Sequence, residues 1–164
     1  MKAENLQDLL VHEIRDLYSA EEQILEALPK MIDKATDREL KSALSSHLEE
    51  TKRQKTRLED VARVLEIDAG GHKCKGIAGI IKEGEETIKK DVKDDDARDA
   101  AIIGSAQRVE HYEMAGYGTA RTYARMLGNS DVVGRLEETL NEEKSADEKL
   151  TRIAEDHVNR SAMK

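Results

Sequence analysis

Aromatic residues are nearly absent from this sequence of 164 residues: it has no Trp, no Phe and four tyrosines, Tyr18, Tyr112, Tyr117 and Tyr123. Sandwiches and barrels are built on β-branched and aromatic strands, so that class is excluded, and so is a base-stacking platform for nucleic acid. A single cysteine, Cys74, rules out an internal disulfide. The longest apolar runs, such as 77–81, reach only a few residues, far short of the roughly 20 that span a bilayer. The first residues, MKAENLQDLLVHE, carry acids where a secretory leader needs an unbroken apolar stretch, so a cytoplasmic location is expected. Nucleotide and acyl-transfer motifs are missing too: there is no Gly-x-x-x-x-Gly-Lys, no Gly-x-Gly-x-x-Gly after a strand and no Gly-x-Ser-x-Gly.

What is present is charge. Acids outnumber bases 35 to 27, for a net charge of −8, and charged residues make up 38% of the chain. That composition suits one domain of long helices, repels phosphate backbones and favours cations as partners.

Gly, Asp and Asn punctuation marks off four long amphipathic stretches at about 4–34, 37–66, 97–127 and 131–157. A capping box, Thr36-Asp37-Arg38-Glu39, is expected to open the second, Asp94-Asp95-Asp96 to cap the third, and Gly128-Asn129 to separate the third from the fourth. Pro29 predicts a kink near Leu25. The first and last joints are short and force antiparallel hairpins, whereas about thirty residues separate the second stretch from the third. Such a link must cross the length of the bundle. The predicted fold is therefore all-α, a ferritin-like four-helix bundle in one domain over 1–164, with a crossover carrying a short extra helix at about 76–91.

A bundle helix buries residues at alternating steps of three and four, and each seam can be written out. The first reads Leu10, Ile14, Leu17, Glu21, Ile24, Leu28, Met31, Ala35; the second Leu40, Leu44, His47, Thr51, Gln54, Leu58, Val61, Leu65, with Glu50 on its flank. The third reads Ile103, Ala106, Glu110, Glu113, Tyr117, Ala120, Ala124, Leu127, and the fourth Val133, Leu136, Leu140, Glu143, Asp147, Leu150, Ala154, His157. In each, polar residues interrupt the middle, so the bundle brings Glu21, Glu50, Glu110, Glu113, Glu143 and Asp147 to one level, with His47 nearby. Six unpaired acids cannot be buried together as anions, and no Lys or Arg occupies a seam. Either several carboxyls are protonated or a multivalent cation lies between them. Carboxylates with one imidazole suit iron, manganese or zinc, and two ions balance six acids better than one. Tyr18, Tyr112 and Tyr117 lie beside these acids, near enough to hydrogen-bond such a site or carry an electron, but the expectation for each is packing with its hydroxyl satisfied.

The stretches Leu17-Tyr18-Ser19-Ala20-Glu21, His47-Leu48-Glu49-Glu50-Thr51, the run from Gln107 to Thr119, and Glu142-Glu143-Lys144-Ser145-Ala146-Asp147 resemble the bacterial YciE/YciF-type family of ferritin-like, stress-associated proteins. The resemblance implies a rubrerythrin-like helical bundle, a homodimer, a di-metal site and a role in stress without a settled reaction. Carried over by position, it implies Glu21, Glu50, Glu113 and Glu143 as main ligands, with His47, Glu110 and Asp147 completing or flanking the site. The sequence departs from the wider di-iron pattern, which places Glu-x-x-His on two helices: here the order is reversed, His47-x-x-Glu50, and Glu143-x-x-x-Asp147 has no histidine.

Two functions are expected to compete. One is a di-metal oxidoreductase, with iron or else manganese or zinc, that reduces peroxide or dioxygen or oxidises Fe(II). The other is a non-catalytic helical homodimer with a vestigial metal layer, its partners docking on the crossover helix or on Leu6, Leu9 and Ile32. His72-Lys73-Cys74 has too few ligands for a structural metal site. Cys74 reads as a surface or half-buried bystander, and His12, His111 and His157 as single histidines without partners.

Overall fold

The structure, a computed structural model, describes residues 3–89 and 92–164. Among them every regular element is helical: α1 (Leu6–Lys34), α2 (Arg38–Val64), α3 (Lys75–Lys89), α4 (Asp95–Met126) and α5 (Ser130–Ile153), which continues through a π-helical turn, Ala154–Val158, into a last helical turn, Asn159–Ser161. The predicted boundaries agree to within a few residues, apart from the π turn; positions 90 and 91 of the expected crossover helix lie outside the described residues.

Side-chain caps set the starts. Asn5, Asp37, Asp94 and Asn129 each accept a hydrogen bond from the backbone N–H three residues on. The second helix is thus capped by Asp37, not by Thr36 as the capping box suggested. Thr36 is drawn elsewhere: its N–H and hydroxyl donate to the two carboxylate oxygens of Asp99, at 2.9 and 2.7 Å, and the Asp37 N–H adds a third bond of 2.7 Å. Asp99 is a buried carboxylate near the start of α4, so this bracket ties the start of α2 to the start of α4 at the same end of the bundle. The ends of α2 and α4 are matched as well. Asn129 N–H reaches back to Ala124 C=O through Gly128 at φ +76°, and Ile67 N–H to Ala62 C=O through Glu66 at φ +55°. Pro29 is exposed and α1 runs through it without a break.

The four long helices form a ring in the order α1, α2, α5, α4, and α3 lies over the seam between α1 and α4. Two glycines bring α3 down onto α4. A Cβ at Gly76 would stand 2.6 Å from the Tyr112 ring, and one at Gly84 would stand 3.2 Å from Ser105 Cβ.

The core is split. One apolar cluster, including Ile24, Leu28, Leu40, Leu44, Ile77, Ile102, Ile103 and Leu150, fills the end nearest the α1–α2 turn. A second, including Leu10, Ile14, Leu17, Leu58, Val61, Ala124, Val132 and Leu136, fills the other. Between them lie the buried polar residues Glu21, His47, Thr51, Gln54, Glu110, Glu113 and Glu143.

Candidate metal centre

That polar layer is where the four seams were interrupted. His47 from α2, Glu110 and Glu113 from α4 and Glu143 from α5 each offer one ligand atom within 4.8 Å of the others, and all four are buried. His47 Nε2 lies 3.3 Å from a Glu110 oxygen and 4.0 Å from a Glu143 oxygen. Among the described residues His47 is the only ion-pair partner of Glu110 and Glu143.

Glu21, fully buried on α1, joins from the fourth side through contacts with Glu113 and with the Tyr117 hydroxyl, which donates to Glu21 Oε1. Gln54 donates to Glu143 and, at 3.0 Å, to Glu142. Arg57 in turn holds Glu142 at 2.9 Å and Thr139 at 2.6 Å, so a polar strip between α2 and α5 steadies the Glu143 side of the layer. Thr51 turns its hydroxyl back to the His47 carbonyl at 2.9 Å and adds no ligand.

Glu50 and Asp147, which the seams and the family pattern both placed at this level, stand apart from this group of four. Glu50 is a third exposed, with an oxygen 3.7 Å from His47 Nδ1. Asp147 accepts from Gln107 at 3.0 Å and faces His111 at 3.3 Å. Of the three tyrosines considered, only Tyr117 reaches the layer; Tyr18 bonds Glu59 and Tyr112 bonds Asp16.

Burial and mutual repulsion govern the electrostatics. Burial, then the Glu143 charge, pushes the Glu21, Glu110 and Glu113 carboxyls well above the ordinary value of 4.5, and burial raises Glu143 as well. Glu50 moves the other way, because the His47 imidazole beside it favours its anion. Buried polar atoms are almost always partnered. Here Glu21 Oε2, both His47 ring nitrogens, Glu110 Oε2, Glu113 Oε1 and Glu143 Oε2 have no hydrogen-bond partner. Orphaned acceptors converging from all four long helices fit a cation of the hard or borderline class.

Two openings reach the layer from opposite faces. A cleft of about 120 Å³ between α2 and α5 ends on His47 and Glu110 and is lined near its mouth by Glu50 and Lys149. A larger cavity of about 380 Å³ under α3 ends on the same two residues.

A separate polar cluster was not anticipated. Cys74 is fully buried, against the expectation of a surface or half-buried bystander. Its thiol donates to Asp16 at 3.0 Å and lies 3.0 Å from the Tyr112 hydroxyl, while Ser19 accepts from its N–H and Gln23 donates to its carbonyl. His72 bonds the other Asp16 oxygen at 2.9 Å and packs edge-on against His12. Burial, then the hydrogen bond to Asp16, pushes the thiol up; Asp16 itself is raised by burial but ends below its ordinary range because Cys74, Tyr112 and His72 all bond it. His111 and His157 have acidic partners too, Asp147 for the first and Asp37 with Glu39 for the second.

Fold and site together define a ferritin-like helical bundle with a buried carboxylate and histidine layer. The chain matches the family described as a domain of unknown function, DUF892, over residues 5–163, and is 40% identical to Protein YciF of Escherichia coli (strain K12) across 99% of this chain and 98% of that one. It belongs to this YciF-type stress-protein family. The crystal structure of the E. coli stress protein YciF superposes with a TM-score of 0.90 at 39% identity, covering 96% of this chain and 99% of that one. YcfI of Rhodopseudomonas palustris gives 0.88 at 49% identity over 90% and 94%. No helix among the described residues is long and apolar enough to cross a membrane.

Proposed function

We propose that the protein is a di-metal carboxylate protein of the bacterial stress response, holding two divalent ions, iron in the first instance and otherwise manganese or zinc. The observation that carries the reading is the convergence of His47, Glu110, Glu113 and Glu143 within 4.8 Å, buried, with orphaned ligand atoms and with Glu21 beside them. A merely structural polar layer would be expected to satisfy its own hydrogen bonds. Glu50 and Asp147 then flank the site, Glu50 at the mouth of the cleft.

A pair of redox-active ions held by His47, Glu110, Glu113 and Glu143, with Glu21 beside them, would supply electron-transfer chemistry for reducing peroxide or dioxygen, or for oxidising Fe(II) with peroxide or dioxygen as the electron acceptor. The chain's own residues do the rest. The raised carboxyls keep protons while the site is metal-free and release them as a cation enters, so that metal uptake drives protons out. Tyr117 and Gln54 hold Glu21 and Glu143 in place from behind. The apolar clusters on either side exclude water, and the cleft beside Glu50 gives hydrated ions a polar approach.

The test is metal content per chain after anaerobic Fe(II) loading and gel filtration, followed by the optical spectrum on adding peroxide or air. Near two irons per chain is expected. Glu113→Gln combined with Glu143→Gln should abolish binding with helix content intact; a double variant that binds like the parent sinks the assignment. The same reading takes the protein to be a homodimer, which sedimentation at several concentrations checks.

A further inference from the structure

The cavity under α3 has walls, an inner end and a rim of different chemistry. Its walls are apolar: Ile24 and Leu28 from α1, Ile80 and Ile81 from α3, Ala106 and Val109 from α4. Its inner end is formed by His47 and Glu110, which are 5% and 2% exposed and keep both imidazole nitrogens and Glu110 Oε2 without hydrogen-bond partners. Its rim carries two lysines, Lys30 and Lys34, and two acids, Asp33 and Glu85, with Lys30 bonded to Glu85 at 3.0 Å. The α1 lining runs from Ile24 to Lys34, which is about 15 Å at 1.5 Å per residue. The space is therefore long and narrow, and its volume of about 380 Å³ lies in the range of small-molecule sites. Gly84, seated against Ser105, holds the roof close to the floor.

This shape selects a ligand. Apolar walls over that length take an unbranched alkyl chain of roughly ten carbons. The polar inner end asks for an oxygen on the inward terminus. That oxygen has to be uncharged, because a carboxylate at the buried inner end would be desolvated with no lysine or arginine among the lining residues at that depth. A balanced rim gives no pull on an anionic headgroup either.

We infer that the cavity beneath α3 is a binding site for a linear medium-chain alkyl compound with a small uncharged oxygen terminus, an alcohol or a hydroperoxide, lying polar end inward against His47 and Glu110. The inference deepens the di-metal reading and rests on it for the chemistry at the inner end. The binding itself is readable without metal.

The experiment is calorimetric titration of the metal-free full-length protein with 1-hexanol, 1-octanol and 1-decanol, and with decanoate as the anionic control. Affinity should rise about fourfold per added methylene, the ratio set by burying one methylene. Decanoate should bind at least tenfold more weakly than decanol. Ile81→Trp should lower decanol affinity at least tenfold while iron content per chain stays at the parent value, and Ala27→Leu, on the opposite wall, should do the same. In the Mn(II)-loaded protein the decanol C1 protons should broaden more than the terminal methyl.

An affinity independent of chain length, or unchanged in both variants, overturns the site. Decanoate binding as tightly as decanol overturns the polar-end-inward orientation. A dimer that Ile81→Trp dissociates, with no alkanol bound by the parent, identifies this face as an interface between copies and also overturns the site. Failure of iron loading with length-dependent decanol binding intact removes the metal reading and leaves the alkyl site standing; iron loading with no alkanol binding does the reverse.

Discussion

Replacing Tyr117 by Phe separates a structural polar layer from a metal-binding one. Tyr117 is completely buried, and its hydroxyl is the hydrogen-bond donor to Glu21 Oε1, the other oxygen of that carboxyl having none. Burial, then the charge of Glu21, raises the phenol well above its ordinary value, so it stays protonated and donates at every physiological pH. Phe fills the same space less one oxygen, so no sizeable cavity is created. In the metal-free protein Glu21 holds its proton, and the loss is that of an ordinary hydrogen bond, about 0.5–1.5 kcal/mol. With a cation bound Glu21 is an anion, and the bond lost is charge-assisted, about 1.5–3 kcal/mol. Affinity falls by the difference between the two losses, about 1.25 kcal/mol at their midpoints or roughly eightfold, close to the lower end of the 10–100-fold known for outer-shell partners of metal ligands. Metal affinity measured by competition with a chromophoric chelator should therefore fall by about five- to tenfold, while urea unfolding of the metal-free variant shifts by no more than about 1.5 kcal/mol. An affinity within twofold of the parent, or a metal-free destabilisation well above about 1.5 kcal/mol, would refute the reasoning.

Other consequences can be measured directly. Because folding raises the Glu21, Glu110, Glu113 and Glu143 carboxyls, the unfolded chain binds fewer protons above pH 4.5, so metal-free stability should be full below that pH and decline as pH rises, whereas metal affinity should climb over the same window; urea midpoints that increase steadily from pH 4.5 to 8 would contradict it. Asp99→Ala removes the acceptor for three donors and should cost about 2–3 kcal/mol, less than the sum of three charge-assisted bonds because exposed Thr36 can turn to water; a change in urea stability under about 0.5 kcal/mol would show the bracket to be inert. Native Cys74 should alkylate far more slowly than a free thiol, and Gly76→Ala, whose Cβ would press on Tyr112, should speed that reaction several-fold; equal rates in parent and variant would dispose of the idea that α3 seats on that glycine.

Much of this was legible along the chain because bundle seams are strictly periodic. Leu10, Ile14, Leu17, Glu21 and Ile24 can be read off one helix with no knowledge of the others, and all five are buried. The level shared by Glu21, Glu110, Glu113 and Glu143 followed because helix rise converts residue number into height. Other features depend on partners that no local spacing reveals. Thr36 looked like a cap since Asp99, its acceptor, is 63 residues away, and Cys74 looked idle since Asp16 lies 58 residues upstream. Gln54 and Tyr117 were visible as seam residues, but their support for Glu143 and Glu21 depends on side-chain direction, which periodicity leaves open. The cavity under α3 escaped notice for a similar reason, being a property of the gap between helices.

The layer draws Glu21 and His47 from the hairpin of α1 and α2, and Glu110, Glu113 and Glu143 from the hairpin of α4 and α5. Each hairpin closes through a short turn and can assemble early, but neither alone carries the full donor set. An ion shared across that divide has nothing complete to grip until the hairpins have docked, and it must let go before they part. Metal supply would then act on the lifetime of the folded state: the rate of docking stays the same, and the rate of coming apart drops. For a member of this family that holds such an ion, persistence against proteases and heat would follow the metal content of its surroundings, with no change in synthesis.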